Sequence, residues 1–176
     1  MHEYAHALVG DKLGDPTARY FGRLSLNPRA HLDPIGTLMM LVAGFGWGKP
    51  VPFNPANLKN PKRDSALIAF AGPASNFLIA AIFALLFQIF KTNQFIGSVL
   101  HLTVYLNLVL CFFNLIPVHP LDGFKVVYGM LPMYLALQWE QVKPYGVMIL
   151  IILILTRSTG VLISPLVDLT GKFLGL

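Results

Sequence analysis

Long apolar runs, separated by a basic and proline-rich connection, set the pattern of this chain. From Ala66 to Phe90 the apolar run of 25 residues is interrupted only by Gly72-Pro73 and by Ser75, Asn76 and Gln88, enough to cross a bilayer with some tilt. Phe95 to Val118 predicts a second span, with His101, Asn107 and Asn114 as its main polar interruptions and Pro117 near its end. Pro144 to Thr156 has a continuous apolar core, Val147 to Leu155, but is short for a span unless its neighbours add length. The run between Pro34 and Trp47 is shorter again and suits a re-entrant or interfacial helix. Val161 to Leu176, broken by Pro165 and Gly171, reads as another such piece or a partial span. Tyr20 to Leu26 alternates modestly and is bounded by Gly22 and Asn27-Pro28, which predicts a short strand. The expected fold is an all-α polytopic membrane protein: a bundle of transmembrane helices with a short β element after the first helix, in a single domain over residues 1–176.

Composition agrees. Apolar residues make up 55% of the chain and charged residues 12%, against about 25% charged in soluble domains. Cys111 is the sole cysteine, which excludes an internal disulfide framework and a cysteine-based metal site. The net charge of +5 could suggest nucleic acid, but the basic residues flank apolar segments rather than forming an arm interleaved with aromatics. Eight of the 13 Lys and Arg residues fall between Lys12 and Arg63, and only Lys91 lies in the connection after the first long run. By the positive-inside rule the 12–63 connection is cytoplasmic. The first long span then runs outward and the second returns, bringing Asn114 to Lys125 to the same side as Asp11-Lys12. A multi-pass protein of the cell membrane is expected, with its chemistry nearer the cytoplasmic face.

That chemistry begins at His2-Glu3-Tyr4-Ala5-His6. On a helix, residues four apart share a face, so two imidazoles can reach one metal ion, and Glu3 stands beside them to take a proton from a bound water. This is a zinc-hydrolase signature, and a catalytic zinc usually has a third protein ligand. Asp122 is the candidate, in Asn114-Leu-Ile-Pro-Val-His-Pro-Leu-Asp-Gly123. Pro117 and Pro120 each remove a backbone donor, so this stretch cannot be a regular helix facing lipid. The competing reading is a helix end with proline stops and a capping Asp. Asn114 and Asn76 are candidate oxyanion donors, since a side-chain amide can donate where helix N–H groups are already used; hydrogen bonding between helices is the alternative for both. Ala71-Gly72-Pro73-Ala74-Ser75 lets helices approach closely or opens a kink beside the metal. His31 reads as a loop histidine that could contact the site, and His101 and His119 as interface polar positions.

Three segments together carry a family resemblance: HEYAH at the start, AGPASN at 71–76 and NLIPVHPLDG at 114–123, with RLSLNPRAHLDPIGT at 23–37 between them. The chain resembles the site-2 protease family of intramembrane zinc metalloproteases, in its compact prokaryotic branch without a PDZ insertion. The resemblance implies Zn2+ held by His2, His6 and Asp122, Glu3 as the catalytic base, and a substrate that is itself a membrane-spanning segment, often of a tethered regulator. Family members carry apolar sequence before the zinc helix, so a chain truncated at its start is expected. A free edge at Tyr20–Leu26 would accept the unwound substrate by strand addition, and the Pro- and Asn-rich loop at 47–61 is a candidate moving part. Two other classes compete. A small transporter would show intramembrane charge pairs or paired broken helices, and neither is evident. A non-catalytic membrane adaptor descended from a protease would process substrate no better than its Glu3→Gln variant.

Overall fold

The structure, a computed structural model, describes residues 1–43 and 46–176. Gly44 and Phe45, at the end of the expected re-entrant run, lie outside the described residues. Helix α1, His2–Lys12, carries Glu3 in its first turn and Lys12 in its last, charges that complement the helix dipole. Just beyond it Asp15 is 1% exposed. Its carboxylate accepts from the Thr17 hydroxyl at 2.5 Å, the Asn54 N–H at 2.6 Å and the Asn57 amide at 2.7 Å, which fastens the far end of the 47–61 loop to the end of α1.

The strand expected over Tyr20 to Leu26 is absent. Tyr20 closes a short helix, α2, Thr17–Tyr20, and Gly22 turns the chain at φ 67°, a conformation that favours glycine and ends any extended run. Arg23 is then drawn inward, 6% exposed, and donates to the Ala30 carbonyl. Ser25 and Asn27 accept from backbone N–H groups two residues ahead, at 3.1 Å each, the local bonding that competes with strand formation. Among the described residues the only β-type pairing is one bridge, Leu32 with Gly48, beside a bond of 2.8 Å from Lys49 N–H to the His31 carbonyl.

Between those two points rises α3, Pro34–Ala43. Asp33 accepts the Gly36 N–H at 2.8 Å as its cap. Ile35, Leu38, Leu41 and Val42 are all more than half exposed. Ten residues are too few to span a bilayer, so α3 matches the interfacial or re-entrant piece expected there.

Helix α4, Pro61–Phe90, begins five residues before the apolar run, because Pro61 suits the first helical position and Asp64 reaches back to the Asn60 N–H at 2.9 Å. Helix α5, Gln94–Asn114, stops four residues short of Val118; Pro117 and the cis His119–Pro120 peptide occupy the turns that follow. Then come α6, Asp122–Met130, α7, Met133–Glu140, α8, Gly146–Leu155, and α9, Ser158–Phe173. Helices α4 and α5 are long and apolar enough to cross a membrane. The run Met133–Leu155 meets α9 at 76° across a short break, with Arg157 at φ 57° in the corner, so the pair makes a third span if it crosses as one, or a re-entrant loop. The two long runs of the sequence are thus single helices, and the last two of the three shorter ones join in a bent pair.

The helices pack around α4, which touches α1, α5 and α6. Ala80 and Ala84 of α4, Val104 and Leu108 of α5 and Val167 of α9 form one apolar cluster. Ile116, Leu121, Leu150 and Ile163 form a second, under the proline-rich turn.

Candidate metal centre

Residues 120 positions apart meet where α1, α4 and the start of α6 converge. His2 Nε2 lies 3.0 Å and His6 Nε2 3.3 Å from the same oxygen, Asp122 Oδ2. The two imidazoles stand edge to face with centroids 4.6 Å apart. One ligand atom from each of the three residues falls within 4.8 Å of the others, a compact set of two nitrogens and one oxygen that suits a small divalent ion.

Two of the three side chains are held by a local cause. His6 is 8% exposed, and its Nδ1 donates to the Ile68 carbonyl of α4 at 2.6 Å, which leaves Nε2 free to ligate. Asp122 opens α6, whose N-cap residue is Leu121 with no side-chain cap bond; the carboxylate turns to the imidazoles instead of capping. A Cβ on the next residue, Gly123, would strike the Leu115 and Ile116 carbonyls, so the start of α6 sits against the end of α5 only because residue 123 has no side chain. Burial alone would raise the Asp122 carboxyl, but hydrogen bonds and charge from His2 and His6 outweigh it and hold the group down to about 2. Three acid–base groups from two distant parts of the chain are thus brought onto one point.

Gly72 supplies the third wall. A Cβ there would fall on the Nε2 atoms of both His6 and His2. The glycine therefore both lets α4 approach α1 and leaves clear the space in front of those nitrogens. This is the close-approach role expected of the 71–75 patch, aimed at the imidazoles.

Glu3 lines two cavities beside this cluster. One, of about 170 Å³, also holds His2, His6, Asp122, Asn114 and Lys125. The other, of about 370 Å³, holds His2, Glu3, Asn76 and Asn114. Asn76 is 3% exposed, and among the described residues its Nδ2 has no hydrogen-bond partner, a buried donor with unspent capacity. Asn114 Nδ2 donates back to the Leu110 carbonyl at 2.9 Å, which uses one of its two N–H groups. The structure thus brings His2, Glu3, His6, Asn76, Asn114 and Asp122 to one place. The remaining histidines lie elsewhere: His31 Nε2 bonds the Ser25 carbonyl at 2.7 Å in the loop, His101 packs on Phe87, and His119 packs on Phe124.

Sequence reasoning did not anticipate the Ile68 carbonyl, which no residue type announces, or Lys125 and Phe53, which join at the mouth of the smaller cavity with the ammonium 4.5 Å from the ring centroid. The position of Lys125 one turn after Asp122 was the available signal.

The family model described as "Peptidase family M50" matches residues 88–156. The Bacillus subtilis protein named "Putative zinc metalloprotease YwhC" is 38% identical over 96% of this chain and 81% of its own length. The Mycolicibacterium smegmatis protein named "Putative zinc metalloprotease Rip2" is 26% identical over 90% of the chain and 63% of its own length. "Zinc metalloprotease MJ0392" of Methanocaldococcus jannaschii is 28% identical over 74% of the chain and 31% of its own length. No solved structure matches the chain.

Proposed function

Because the chain belongs to peptidase family M50, the site-2 protease family, we propose that residues 1–176 form one membrane-embedded zinc endopeptidase domain that cuts peptide bonds in or beside the spanning segments of membrane-tethered proteins. The observation that carries this reading is the convergence of His2 Nε2, His6 Nε2 and Asp122 Oδ2 within 4.8 Å, with Glu3 in the same cavity.

The residues fit Zn2+. Two imidazole nitrogens and a carboxylate oxygen match its preferred donors, the Ile68 carbonyl fixes the ligating tautomer of His6, and Gly72 keeps the space before the nitrogens clear. Zinc, when bound, acts as a Lewis acid toward a water and a peptide carbonyl. The Glu3 carboxylate takes a proton from the attacking water and returns it to the nitrogen of the departing amine. Nδ2 of Asn76, without a partner among the described residues, donates to the carbonyl oxygen as charge builds there, and the second N–H of Asn114 can add to it. A spanning substrate is helical, so a local unwinding must precede attack. Helices α4 and α5 frame the site and are long enough to cross the bilayer, and the Lys and Arg balance supports a site on the cytoplasmic side.

Metal analysis and cleavage assays test this together. Wild type is expected to carry one zinc per chain, and His6→Ala and Asp122→Asn to lose it. Glu3→Gln should keep zinc and lose at least about 100-fold in cleavage of a membrane-tethered reporter. Equal cleavage by wild type and Glu3→Gln would refute the reading.

A further inference from the structure

Next to the metal centre lies a larger cavity, of about 390 Å³, between the Phe53–Ser65 segment, α6 and the corner at Glu140–Lys143. Its walls are aromatic, with Phe53, Phe124 and Tyr128, and cationic, with Lys62, Lys125 and Lys143 against one carboxylate, Glu140. Three positive charges less one negative leave a balance of +2. His119, also in the wall, is pushed toward its neutral form by burial and by the charges of Lys143 and Lys125.

The cations differ in how they are held. Lys143 pairs with Glu140 at 2.8 Å. The Lys62 ammonium donates to the Gly129 and Leu131 carbonyls at the end of α6, a fixed charge with no carboxylate in contact among the described residues. Lys125 lies over the Phe53 ring at 4.5 Å, and among the described residues no carboxylate lies within ion-pair distance of it. Burial lowers the Lys125 pKa, so its charged form gains when an anion arrives. Lys125 and Phe53 also line the smaller cavity that holds Glu3 and the metal cluster. A peptide laid across the metal site therefore continues, past these two residues, into the cationic cavity.

We propose that this cavity is a subsite for an acidic side chain, Asp or Glu, in the juxtamembrane segment of the substrate; the inference rests on the protease reading above. The selectivity works mainly by rejection. Ordinary spanning segments carry Lys and Arg on their cytoplasmic flank, and such a flank would meet a wall of like charge. A segment with an acidic flank would be admitted, which separates a few substrates from the bulk of membrane proteins.

The test uses the whole chain in phosphatidylcholine vesicles with three tethered reporters that share one spanning segment and differ only in a short flank, rich in Glu, Gln or Lys. Wild type should cut the Glu reporter at least about tenfold faster than the Lys reporter. In Lys125→Glu/Lys143→Glu the cavity balance passes from +2 to −2, since each replacement changes the charge by two units, and the preference should reverse. The ratio of the two rates cancels any loss of folded enzyme. Equal rates on all three flanks would overturn the subsite while leaving the protease reading intact. No cleavage of any reporter by zinc-loaded enzyme would overturn the protease reading itself and the subsite with it. A preference that survives the double replacement, and appears only when phosphatidylglycerol is added, would assign the effect to anionic lipid and overturn the subsite.

Discussion

Residues 61–76 and residues 77–90 belong to the same helix, α4, yet the first half buries Asp64, Ser65, Ile68, Ala69, Gly72, Pro73 and Asn76, and the second only Ala80 and Ala84. The buried positions follow one face in steps of about four residues throughout, so the difference is in what that face meets. In the first half it meets α1 and α6, whose imidazoles and carboxylate need carbonyls, amides and room. In the second it meets the apolar faces of α5 and α9, while Leu78, Ile82, Leu85 and Ile89 stay more than half exposed on the other side, as suits lipid. One half is shaped by chemistry and the other by packing alone, and the same kind of substitution should have different consequences in each.

The sharpest break of this contrast is Gly72→Ala. One methyl placed on the His2 and His6 Nε2 atoms should lower zinc affinity at least about tenfold, as read by metal analysis after dialysis, and abolish cleavage of the reporter. Next comes Asn76→Leu, which removes a buried donor that has no partner among the described residues. Were Asn76 only a packing residue, the change would be neutral or stabilising; as an oxyanion donor, its loss should lower kcat about 100- to 1,000-fold with zinc retained. Ala84→Leu, in the second half, should cost about 1–3 kcal/mol by overpacking against Val104, Leu108 and Val167, lowering Tm with zinc content unchanged. The smallest effect tests the loop anchor. Burial would raise the Asp15 carboxyl, but bonds from Thr17, Asn57 and Asn54 lower it below 3.8. Its contribution is therefore present above that value and lost as pH falls through the lower folded value. Asp15→Asn should cost about 1 kcal/mol near neutrality and flatten the fall of Tm with pH below 3.8.

How much of this was legible in the residues depends on the range of the signal. The long spans are written in continuous runs, and only their ends moved: α4 gained a turn from the Pro61 start, and α5 lost one to Pro117. His2, Glu3 and His6 could be read from spacing on one helix. Asp122 needed a resemblance as well, because a lone Asp after two prolines also reads as a cap, and only the fold shows its carboxylate turned to the imidazoles. The contact of Gly72 with two ring nitrogens could not be read, since a glycine carries no sign of what its missing side chain would have struck. The strand at Tyr20–Leu26 failed for a physical reason. Alternation was weak there, and Gly22, Arg23 and Asn27 each had a local bond or backbone conformation that outcompeted an edge with no partner strand.

The bridge between Leu32 and Gly48, reinforced by Lys49 to His31, pinches together the base of the excursion that carries α3. With its neck tied, the length of that excursion is uncoupled from the distance between α1 and α4. Doubling its contents would add only about 0.6 kcal/mol of closure entropy. Gly46 and Trp47, just inside that tie, share a cavity wall with His2 and Glu3, so a change in the excursion's contents is felt in that cavity rather than in the spacing of the helices.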